Sequence, residues 1–281
     1  MPAQSLAPHI HLNVTAALNE DIRDGDLTAQ LISHTQAAAA NVTSRQEAVL
    51  CGTLWFEKCF LSLDPNCKVH WSAQEGELIQ PGQQLCKVKG NARAMLTAER
   101  SALNFLQLLS GTATLVRRYV DAVADINVKI MDTRKTLPGL RMAQKYAVGV
   151  GGGHNQRIGL FDGVLIKENH IAAAGGIRAV LKQAFRITPA GIPVQIEVET
   201  LAQLDEALAA GARLILLDNF SLADMRGAVT RTARRAELEA SGNISLDNVR
   251  SVAETGVDRI SIGALTKDVK AVDLSMRISA A

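Results

Sequence analysis

The stretch DTRKTLPGLRMAQKYAVGVGGGHNQRIGLFDGVLIKENHI, residues 132–171, organises the chain because it gathers cations around a run of glycines. Acidic residues are few across it, and a Gly-Val-Gly-Gly-Gly turn lies at its centre. Cations grouped in this way are suited to a small, heavily anionic ligand. A solvated helix face followed by a flexible loop is the other interpretation. The Arg and Lys residues of the stretch are Arg134, Lys135, Arg141, Lys145, Arg157 and Lys167.

After residue 125, short apolar runs alternate with segments of helical spacing, a pattern typical of βα units. Helix starts are marked by Thr200 with Gln203 and by Ser221 with Asp224, which resemble capping boxes. The pattern predicts a parallel α/β barrel, complete or incomplete, and an open doubly wound sheet is the alternative. The apolar runs are Val128–Met131, Gly163–Ile166, Val194–Val198, Leu214–Leu217, Ala236–Ala240 and Arg259–Ile262.

The preceding part of the chain mixes helices and strands. Turn residues flank alternating apolar residues in Gly76–Val88, which predicts a hairpin. This segment is similar to the β-sandwich of biotin and lipoyl carriers, but Pro81-Gly82 offers no lysine to modify, so we interpret it as scaffold. A helix over Ala92–Ala124 is expected to be interrupted at Ser110-Gly111-Thr112. The other expected features are an exposed tail with His9 and His11, a helix at Asn13–Glu20, a strand or hairpin at Ala37–Cys51, a helix at Leu54–Leu63 and a strand at Val69–Trp71.

Composition excludes several classes of function. The chain has 281 residues, 47% of them hydrophobic, which is enough for one large or two modest domains. The net charge of +2 and the two Trp and two Tyr residues argue against a nucleic-acid partner. No signal peptide and no membrane-spanning apolar run are visible, so we expect a cytoplasmic protein. None of the cysteines forms a Cys-x-x-Cys pair, so we expect reduced, packed thiols: Cys51, Cys59, Cys67 and Cys86.

Charged and small residues follow the apolar runs where each predicted strand ends. Ligands bind at the carboxyl ends of strands in barrels and in open α/β sheets alike. Unpaired charges there would lose much of their hydration energy, so we expect them to pair with each other or with a ligand. The residues concerned are Asp132, Lys167, Glu197 or Glu199, Asp218, Ser241 and Gly263.

Two of these carboxylates suit a magnesium ion. Glu197 and Glu199 share one face of their strand, and Glu197 is the deeper of the two, whereas Glu199 is placed to serve the next helix. Asp218 ends the following strand. Carboxylates without a His or Cys cluster suit Mg²⁺, which commonly binds through substrate phosphates. The sequence therefore predicts a phosphorylated, metal-bound substrate held at Glu197 and Asp218.

Two small-residue triplets after the last strands are candidates for a phosphate site. Ser241-Gly242-Asn243 and Ile262-Gly263-Ala264 let backbone N–H groups approach a ligand, although an ordinary βα turn is the alternative for each. The arginines of residues 132–171 point to a second, carboxylate-bearing substrate. Arginine binds carboxylates with two parallel hydrogen bonds, which a lysine cannot reproduce.

These residues resemble the quinolinate phosphoribosyltransferase family, also called the carboxylating nicotinate-nucleotide pyrophosphorylases. The resemblance covers essentially the whole chain. The most specific motifs are DTRKTLPGLR at 132–141 and LIKENH at 165–170. Further matching motifs are Gly25-Asp26-Leu27-Thr28, Glu99-Arg100-Ser101-Ala102-Leu103-Asn104, Lys145-Tyr146-Ala147-Val148, Gly151-Gly152-Gly153, Leu217-Asp218-Asn219, Ser241-Gly242-Asn243 and Gly263-Ala264-Leu265-Thr266.

The resemblance implies an N-terminal α/β sandwich domain, residues 1–112 with the returning tail 268–281, and an open, incomplete parallel α/β barrel domain at 113–267. It implies a homodimer with shared sites. It also implies a pentosyltransferase of NAD biosynthesis: quinolinate and phosphoribosyl pyrophosphate give nicotinate mononucleotide, pyrophosphate and CO₂, with Mg²⁺.

The resemblance also implies roles for individual residues. Arg134, Arg157 and Lys167 would bind the quinolinate carboxylates, and Lys135 would serve quinolinate or the diphosphate. Arg100, by itself an ordinary surface arginine on a helix, would come from the neighbouring subunit. The remaining roles are Glu197 and Asp218 at the ribose and metal-diphosphate, Ser241, Gly242, Asn243, Ile262, Gly263 and Ala264 around the 5′-phosphate, and Lys267 or Lys270 at the diphosphate.

One position departs from the family pattern. Many members have Gly-Gly-Gly-x-Asn-His-Arg, whereas this chain has Gly153-His154-Asn155-Gln156-Arg157, so Gln156 stands at the histidine position. A glutamine cannot supply a titratable imidazole, but it can donate a hydrogen bond to a carboxylate. We therefore assign Gln156 to substrate binding.

Three other functions remain open. The first is a related pyrophosphorylase-like enzyme of the same fold with another acceptor, such as nicotinate or a molybdenum-associated substrate. The second is a ligand-binding barrel without catalysis. The third is a carrier module, which would need a modified lysine in the N-terminal half.

Overall fold

The computed structural model of the protein describes residues 3–280, with side-chain surroundings for residues 6–278. The chain divides into two compact units. The first contains the chain up to Arg117, Thr136–Gly152 and the chain from Thr266, and the second contains Arg118–Lys135 and Gly153–Leu265. The domain limits expected from the sequence stay a prediction.

The first unit contains a four-stranded sheet and its helices. The strand order in the sheet is β12-β1-β5-β3, and a separate two-stranded sheet pairs β2 with β4. The elements are α1 (Ala3–Ile22), β1 (Ala37–Ser44), β2 (Ala48–Val49), α2 (Thr53–Leu63), β3 (Lys68–Trp71), β4 (Leu78–Ile79), β5 (Gln84–Asn91), α3 (Ala92–Ala122), α4 (Arg141–Val150) and β12 (Leu274–Ala280), with a 3-10 turn at Ala29–Leu31.

The first helix is longer than the sequence predicted. It covers Ala3–Ile22, so His9 and His11 lie on a helix and not on an exposed tail, and the expected limits of Asn13–Glu20 were wrong. Apolar side chains recur on one face of α1 at a spacing of four and are buried there: Leu6, Ile10, Val14 and Leu18. The inner face of α1 therefore begins seven residues before the predicted helix.

The predicted interruption at Ser110-Gly111-Thr112 was wrong, since α3 runs unbroken through it. Ser110 Oγ accepts a hydrogen bond from the Cys51 N–H at 2.9 Å. A Cβ at Gly111 would lie only 2.2 Å from the Lys270 carbonyl oxygen. Small residues here let the helix pass close to other segments of the first unit, and the helix itself continues.

Strands lie where they were expected in the first unit. Of the two alternatives for Ala37–Cys51 the strand is correct, and the hairpin predicted over Gly76–Val88 does not form. In the four-stranded sheet β1 pairs with β12 and β5, whereas β2 pairs with β4 in the separate two-stranded sheet. The turn between β4 and β5 therefore joins strands of different sheets. Alternation of apolar and polar residues indicates an extended chain, but it does not determine which strand pairs with it. The pairing of β12 with β1 confirms that the C-terminal tail returns to the N-terminal sheet.

The second unit contains six parallel strands in the order β6-β11-β10-β9-β8-β7. The order from β7 to β11 follows the chain without reversal, so the doubly wound alternative was wrong. The strands β6 and β7 are the two edges, which confirms an open parallel α/β barrel. The elements are β6 (Lys129–Met131), β7 (Val164–Ile166), α5 (Glu168–Ala174), α6 (Ile177–Ile187), β8 (Val194–Val198), α7 (Leu201–Ala209), β9 (Leu214–Asp218), α8 (Leu222–Thr232), β10 (Glu237–Ser241), α9 (Val249–Ala253) and β11 (Arg259–Ser261), followed by α10 (Ala264–Lys267).

The predicted helix starts of the barrel are confirmed. Thr200 Oγ1 accepts from the Gln203 N–H at 3.2 Å, and Ser221 Oγ accepts from the Asp224 N–H at 3.1 Å. These caps satisfy N–H groups that would otherwise lack an acceptor in the first turn. Each helix therefore starts at a fixed distance after its strand, which holds the strand-end residues in place.

Candidate active site

The carboxyl ends of β7 and β8 bring a lysine and a glutamate together. Lys167 follows β7, and its Nζ lies 2.8 Å from Oε2 of Glu197 on β8. The Glu197 side chain is 9% exposed and that of Lys167 is 45% exposed. The backbone N–H of Lys167 also donates to Nδ1 of His170 at 3.1 Å, which fixes the start of α5. The result is a cation held at the mouth of the barrel by a nearly buried carboxylate.

The two glutamates at the end of β8 have different surroundings. Glu197 contacts Lys167, whereas Glu199 is exposed and its backbone N–H donates to Oε1 of Gln203 at 2.7 Å. A cavity of about 150 Å³ lies beside both of them. Of the two alternatives for the rim of the barrel, Glu197 is the one that contacts another predicted site residue.

Hydrogen bonds join the end of β9 to the end of β10. Asp218 ends β9 and lies beside Ser241 of β10 in the parallel register. The Asn219 N–H donates to the Ser241 carbonyl oxygen at 2.9 Å, and Asn219 Nδ2 donates to Asp218 Oδ2 at 2.8 Å. Asn219 adopts a positive φ of 55°, which asparagine tolerates better than most residues. This hydrogen bonding orients the Asp218 carboxylate.

The Ser241-Gly242-Asn243 turn has no space for a side chain at its centre. A Cβ on Gly242 would lie 2.2 Å from Asn219 Oδ1, and the φ of Gly242 is +100°. Asn243 has a φ of 50°, and its Nδ2 donates to Asn219 Oδ1 at 3.3 Å. Glycine is required here for both conformation and close approach.

A second small-residue turn lies against Lys135. A Cβ on Gly263 would be 3.0 Å from Cδ of Lys135 and 3.8 Å from its Nζ. The Ile262 side chain is buried, and its N–H donates to the Met131 carbonyl oxygen at 3.0 Å, so Ile262 fixes the strand end. Gly263 and the half-buried Ala264 form the surface of this triplet next to the lysine. The structure thus brings an ammonium group to one of the predicted phosphate turns.

Two arginines from residues 132–171 lie near each other. Burial and the nearby Arg134 lower the pKa of Arg157, and Asp162 opposes this shift. Arg157 also donates to the Gly163 carbonyl oxygen at 2.9 Å. Like charges held together stabilise a bound anion, and a planar guanidinium is suited to a carboxylate. The pair is therefore suited to a carboxylate.

Buried carboxylates hold the segment that carries Arg157. Asp132 is fully buried, and its two oxygens accept from the Gln156 N–H at 2.8 Å and from Asn155 Nδ2 at 2.7 Å. The Gln156 side-chain amide donates to Oε1 of Glu239, and Gln195 Nε2 donates to Oε2 of Glu239 at 3.0 Å. Gln156 thus points its amide at a protein carboxylate.

Glu239 and Gln195 were missed among the candidate site residues. Both occupy strands of apolar character, where only the flanking residues were considered. The alternation of side chains along a strand could have identified them. Glu239 precedes Ser241 by two residues, and Gln195 precedes Glu197 by two, so each shares a strand face with a predicted site residue.

The residues suited to a divalent cation are few. Among residues 3–280, no cluster of three or more His, Cys, Asp or Glu side chains is arranged to hold a metal ion. The hard oxygen donors of the rim are Glu197, which also contacts Lys167, and Asp218. Any Mg²⁺ at the rim would therefore need most of its ligands from water and substrate.

Arg100 belongs to the first unit, as do Lys267 and Lys270. It is exposed on α3, and its charge lowers the pKa of Glu99, which burial raises more strongly. Lys267 lies 3.3 Å from Asp268, also in the first unit. A larger cavity of about 900 Å³ opens at the amino ends of the barrel strands, near Arg213 and Asp258. It lacks the rim residues described above, so we locate the candidate site at the carboxyl ends.

Comparison with known proteins covers nearly the whole chain. Residues 26–110 match the family described as quinolinate phosphoribosyl transferase, N-terminal domain, and residues 112–277 match the C-terminal domain of the same family. A probable nicotinate-nucleotide pyrophosphorylase [carboxylating] of Bacillus subtilis is 41% identical over 273 residues, which cover 96% of this chain and 94% of the relative.

Two further relatives agree with this match. The nicotinate-nucleotide pyrophosphorylase [carboxylating] of Mycobacterium leprae is 42% identical, with 94% of this chain and 95% of the relative covered. The solved structure of nicotinate-nucleotide pyrophosphorylase from Francisella tularensis is 43% identical and has a TM-score of 0.94, with 97% of this chain and 96% of that chain covered.

Proposed function

The chain belongs to the quinolinate phosphoribosyltransferase family, and we propose that it transfers the phosphoribosyl group of phosphoribosyl pyrophosphate to quinolinate. The products are nicotinate mononucleotide, pyrophosphate and CO₂. The protein is thus a pentosyltransferase of NAD biosynthesis, a carboxylating nicotinate-nucleotide diphosphorylase in the nomenclature of the reverse reaction.

The observation that carries the proposal is the pairing of Arg157 with Arg134: burial, and then the charge of Arg134, lower the pKa of Arg157. Quinolinate is a pyridine with two adjacent carboxylates, and two guanidiniums with the Lys167 ammonium match its charge. Gln156 lies next to Arg157 in the chain, and we assign it to the same acceptor site. Nicotinate has only one carboxylate and would leave part of this positive charge without a partner.

The donor substrate is assigned to the other side of the rim. The Ser241-Gly242-Asn243 and Ile262-Gly263-Ala264 turns would accept its 5′-phosphate, and Lys135, beside Gly263, would neutralise the diphosphate. Glu197 and Asp218 would bind the ribose hydroxyls. These assignments place negative groups of the donor against small residues and a lysine, and its hydroxyls against carboxylates.

Positioning and electrostatics account for the transfer step. The pyridine nitrogen attacks the anomeric carbon while the bond to pyrophosphate breaks, and the departing oxygen keeps the electron pair. Lys135 stabilises the charge that builds on this leaving group. No covalent enzyme intermediate is needed, which fits the four cysteines, all buried in the first unit.

Decarboxylation follows from the charge on the ring. Once its nitrogen is quaternary, the pyridinium ring stabilises the electron pair left on the adjacent carbon when that carboxylate departs as CO₂. A proton then bonds to that carbon. Lys167 or Arg134 beside the carbon would stabilise the developing negative charge, and Glu197 holds Lys167 in position at 2.8 Å.

We also propose Mg²⁺ as the cofactor. When bound, Mg²⁺ would supply positive charge to the diphosphate of the donor. Glu197 and Asp218 are the residues that would hold it, largely through the diphosphate, because Mg²⁺ keeps several waters and prefers oxygen ligands.

We further propose a homodimer in which Arg100 reaches the quinolinate site of the neighbouring subunit. Arg100 is exposed on α3, as a residue serving another subunit must be. Large apolar side chains are also strongly exposed in both units: Leu27, Leu31, Leu160 and Phe161. Surface of this kind is typical of a protein interface.

A cytoplasmic location stays a prediction. All four cysteines are thiols, which fits a reducing compartment. Among residues 3–280, no helix combines the length and the apolar character required to traverse a lipid bilayer.

The direct test is to incubate the purified protein with quinolinate, phosphoribosyl pyrophosphate and Mg²⁺ and to measure nicotinate mononucleotide and CO₂. Nicotinate replaces quinolinate in a parallel reaction. We expect turnover with quinolinate and little with nicotinate. Equal turnover of the two acceptors would contradict the decarboxylating assignment, and no product from either would leave a binding protein without catalysis.

The shared site has its own test. Arg100→Ala and Arg134→Ala are each expected to inactivate a homodimer. Mixing them after subunit exchange should restore about a quarter of the wild-type sites, because half of the dimers would contain one intact site. Absence of any rescue in mixed dimers of proven composition would contradict the crossing of Arg100.

A further inference from the structure

A buried carboxylate inside the barrel has no role in the reaction proposed above. Glu239 lies in the middle of β10, between Leu216 of β9 and Arg259 of β11 in the parallel register, and is 1% exposed. Burial raises its pKa, and hydrogen bonds from Gln195, Ser261 and Gln156 oppose that shift. Such a group costs stability compared with an apolar residue of similar volume. Because a carboxylate at this position costs stability, we expect it to have a function.

Glu239 is one of two carboxylates that hold the segment before Arg157. Asp132, at the end of β6, accepts from the Gln156 N–H at 2.8 Å and from Asn155 Nδ2 at 2.7 Å. Glu239 accepts from the side-chain amide of the same Gln156. The backbone of Gln156 is thus held from one strand and its side chain from another.

The segments held by Asp132 and Glu239 carry arginines whose positive charges repel each other. Arg157 follows Gln156 directly, and Arg134 follows Asp132 by two residues, so the anchored segments carry two arginines whose charges interact: burial and the charge of Arg134 lower the pKa of Arg157. In the absence of ligand, the two guanidiniums repel each other. Hydrogen bonds from Gln156 to buried carboxylates resist the displacement that would relieve this repulsion.

We propose that Glu239 is a positioning residue for acceptor binding, which holds Gln156, and through it Arg157, in place against the repulsion from Arg134. The inference rests on the proposed function, because it takes quinolinate as the ligand of the two arginines. Glu239 itself does not need to touch either substrate. Its contribution is to the affinity for the dicarboxylate and not to the leaving pyrophosphate.

The test compares KM values for the two substrates. Glu239→Ala removes the acceptor of the Gln156 amide, and we expect the KM for quinolinate to rise about ten- to a hundredfold. The KM for phosphoribosyl pyrophosphate should change less than about threefold, because the Ser241-Gly242-Asn243 turn has hydrogen bonds of its own to Asn219, which Glu239→Ala leaves in place. Glu239→Gln retains an oxygen for Gln156 and should keep most of the affinity for quinolinate.

A double-variant comparison shows whether Glu239 acts through Gln156. We expect Gln156→Ala to raise the KM for quinolinate, and we expect Glu239→Ala to add little in that background. Glu237→Gln is the matched control. Glu237 lies two residues earlier on the same strand and pairs with Arg259, so this change should leave the KM for quinolinate near that of the wild type.

Each outcome decides the proposal. Equal changes in both KM values, or fully additive effects of the Glu239 and Gln156 variants, would overturn it. If Glu239→Ala does not fold, Glu239→Leu, which fills the space without accepting a hydrogen bond, replaces it. If neither folds, Glu239 serves the fold and the proposal is wrong. A wild-type protein without turnover of quinolinate would instead contradict the proposed function.

Discussion

The interiors of the two units are built from different side chains. In the first unit, Trp55, Phe56 and Phe60 are fully buried in a continuous apolar core. In the second, the strands of the barrel carry the buried carboxylates Glu197 and Glu239. Apolar burial stabilises a fold, whereas burial of a charge costs stability unless a partner offsets it. The comparison shows that the large apolar core lies in the first unit, whereas the barrel interior contains carboxylates whose burial must be offset by partners.

Buried ionisable groups show the same difference. Burial raises the pKa of Cys59 to about 12 and that of Cys67 to about 11, which keeps these thiols protonated and unreactive. Burial also raises the pKa of Glu239, but hydrogen-bond donors surround that carboxylate and oppose the shift. The thiols serve as small apolar groups, whereas the carboxylate organises the residues next to the candidate site.

Two crowded glycines extend the comparison. At both Gly111 and Gly242, an added Cβ would lie 2.2 Å from an oxygen atom. At Gly111 that atom is the Lys270 backbone carbonyl, in the packing of the first unit. At Gly242 it is Oδ1 of Asn219, beside the Asp218 carboxylate. We therefore expect equal crowding to affect stability in one case and substrate binding in the other.

The largest expected effect is on catalysis by the barrel. Lys167→Ala should lower kcat/KM by about a thousandfold, because it removes the charge proposed to stabilise decarboxylation. The variant should still fold, but its melting temperature should fall because the nearly buried Glu197 carboxylate loses its partner. Lys182→Ala, an exposed lysine on α6, is the control. Near wild-type turnover in Lys167→Ala would remove that lysine from the mechanism.

Crowding in the first unit should affect stability. Gly111→Ala is expected to lower the free energy of unfolding by about 3 kcal/mol, because a backbone carbonyl cannot move away cheaply. Chemical denaturation measures this change in the free energy of unfolding. The control is Gly149→Ala, a helical glycine with open space around its Cβ, which should stabilise by up to about 1 kcal/mol. Equal stability of the two variants would show that the contact with Lys270 is not tight.

Crowding in the barrel should affect donor binding. Gly242→Ala is expected to raise the KM for phosphoribosyl pyrophosphate about tenfold, because the methyl group displaces Asn219 from Asp218. Gly191→Ala has a similar positive φ of +87° but open space, so it should lose only stability, about 1 kcal/mol. If both variants raise the KM alike, the left-handed backbone and not the crowding is responsible.

The smallest expected effect concerns the pH dependence of stability. The folded pKa of Glu239 is raised above its unfolded value, so its ionisation destabilises the fold as the pH rises through that interval. Glu239→Gln removes this penalty. The variant should be more stable than the wild type by about 1 kcal/mol at neutral pH, with no gain below the ordinary pKa of glutamate. Thermal unfolding at both pH values measures the difference, and a gain that does not depend on pH would rule out ionisation as the cause.

Much of the fold could be predicted from sequence because it depends on local pattern. The six barrel strands lie on the predicted apolar runs to within a residue or two at each end, and caps such as Thr200 start helices as expected. Pairing was less predictable. The two strands of the predicted Gly76–Val88 hairpin, β4 and β5, lie in separate sheets, because partner choice depends on residues distant in sequence.

The candidate site shows the same division. The types and spacing of Lys167, Glu197 and Asp218 indicated a charged rim before any contact was known. Gln156 could be identified as a departure from a family pattern, but its partner could not. Glu239 lies 83 residues away in the chain, and only the packing of β10 beside the other strands brings it to Gln156.

The sequence by itself determined the family, the order of strands and helices, and the chemical types at the strand ends, because periodicity, capping and motif spacing are local properties. The tertiary structure alone decided that α3 passes Gly111 unbroken, that β6 and β7 are edges, and that buried carboxylates hold the Arg157 segment. Each of these depends on close contact between distant residues, where packing and desolvation outweigh local preference.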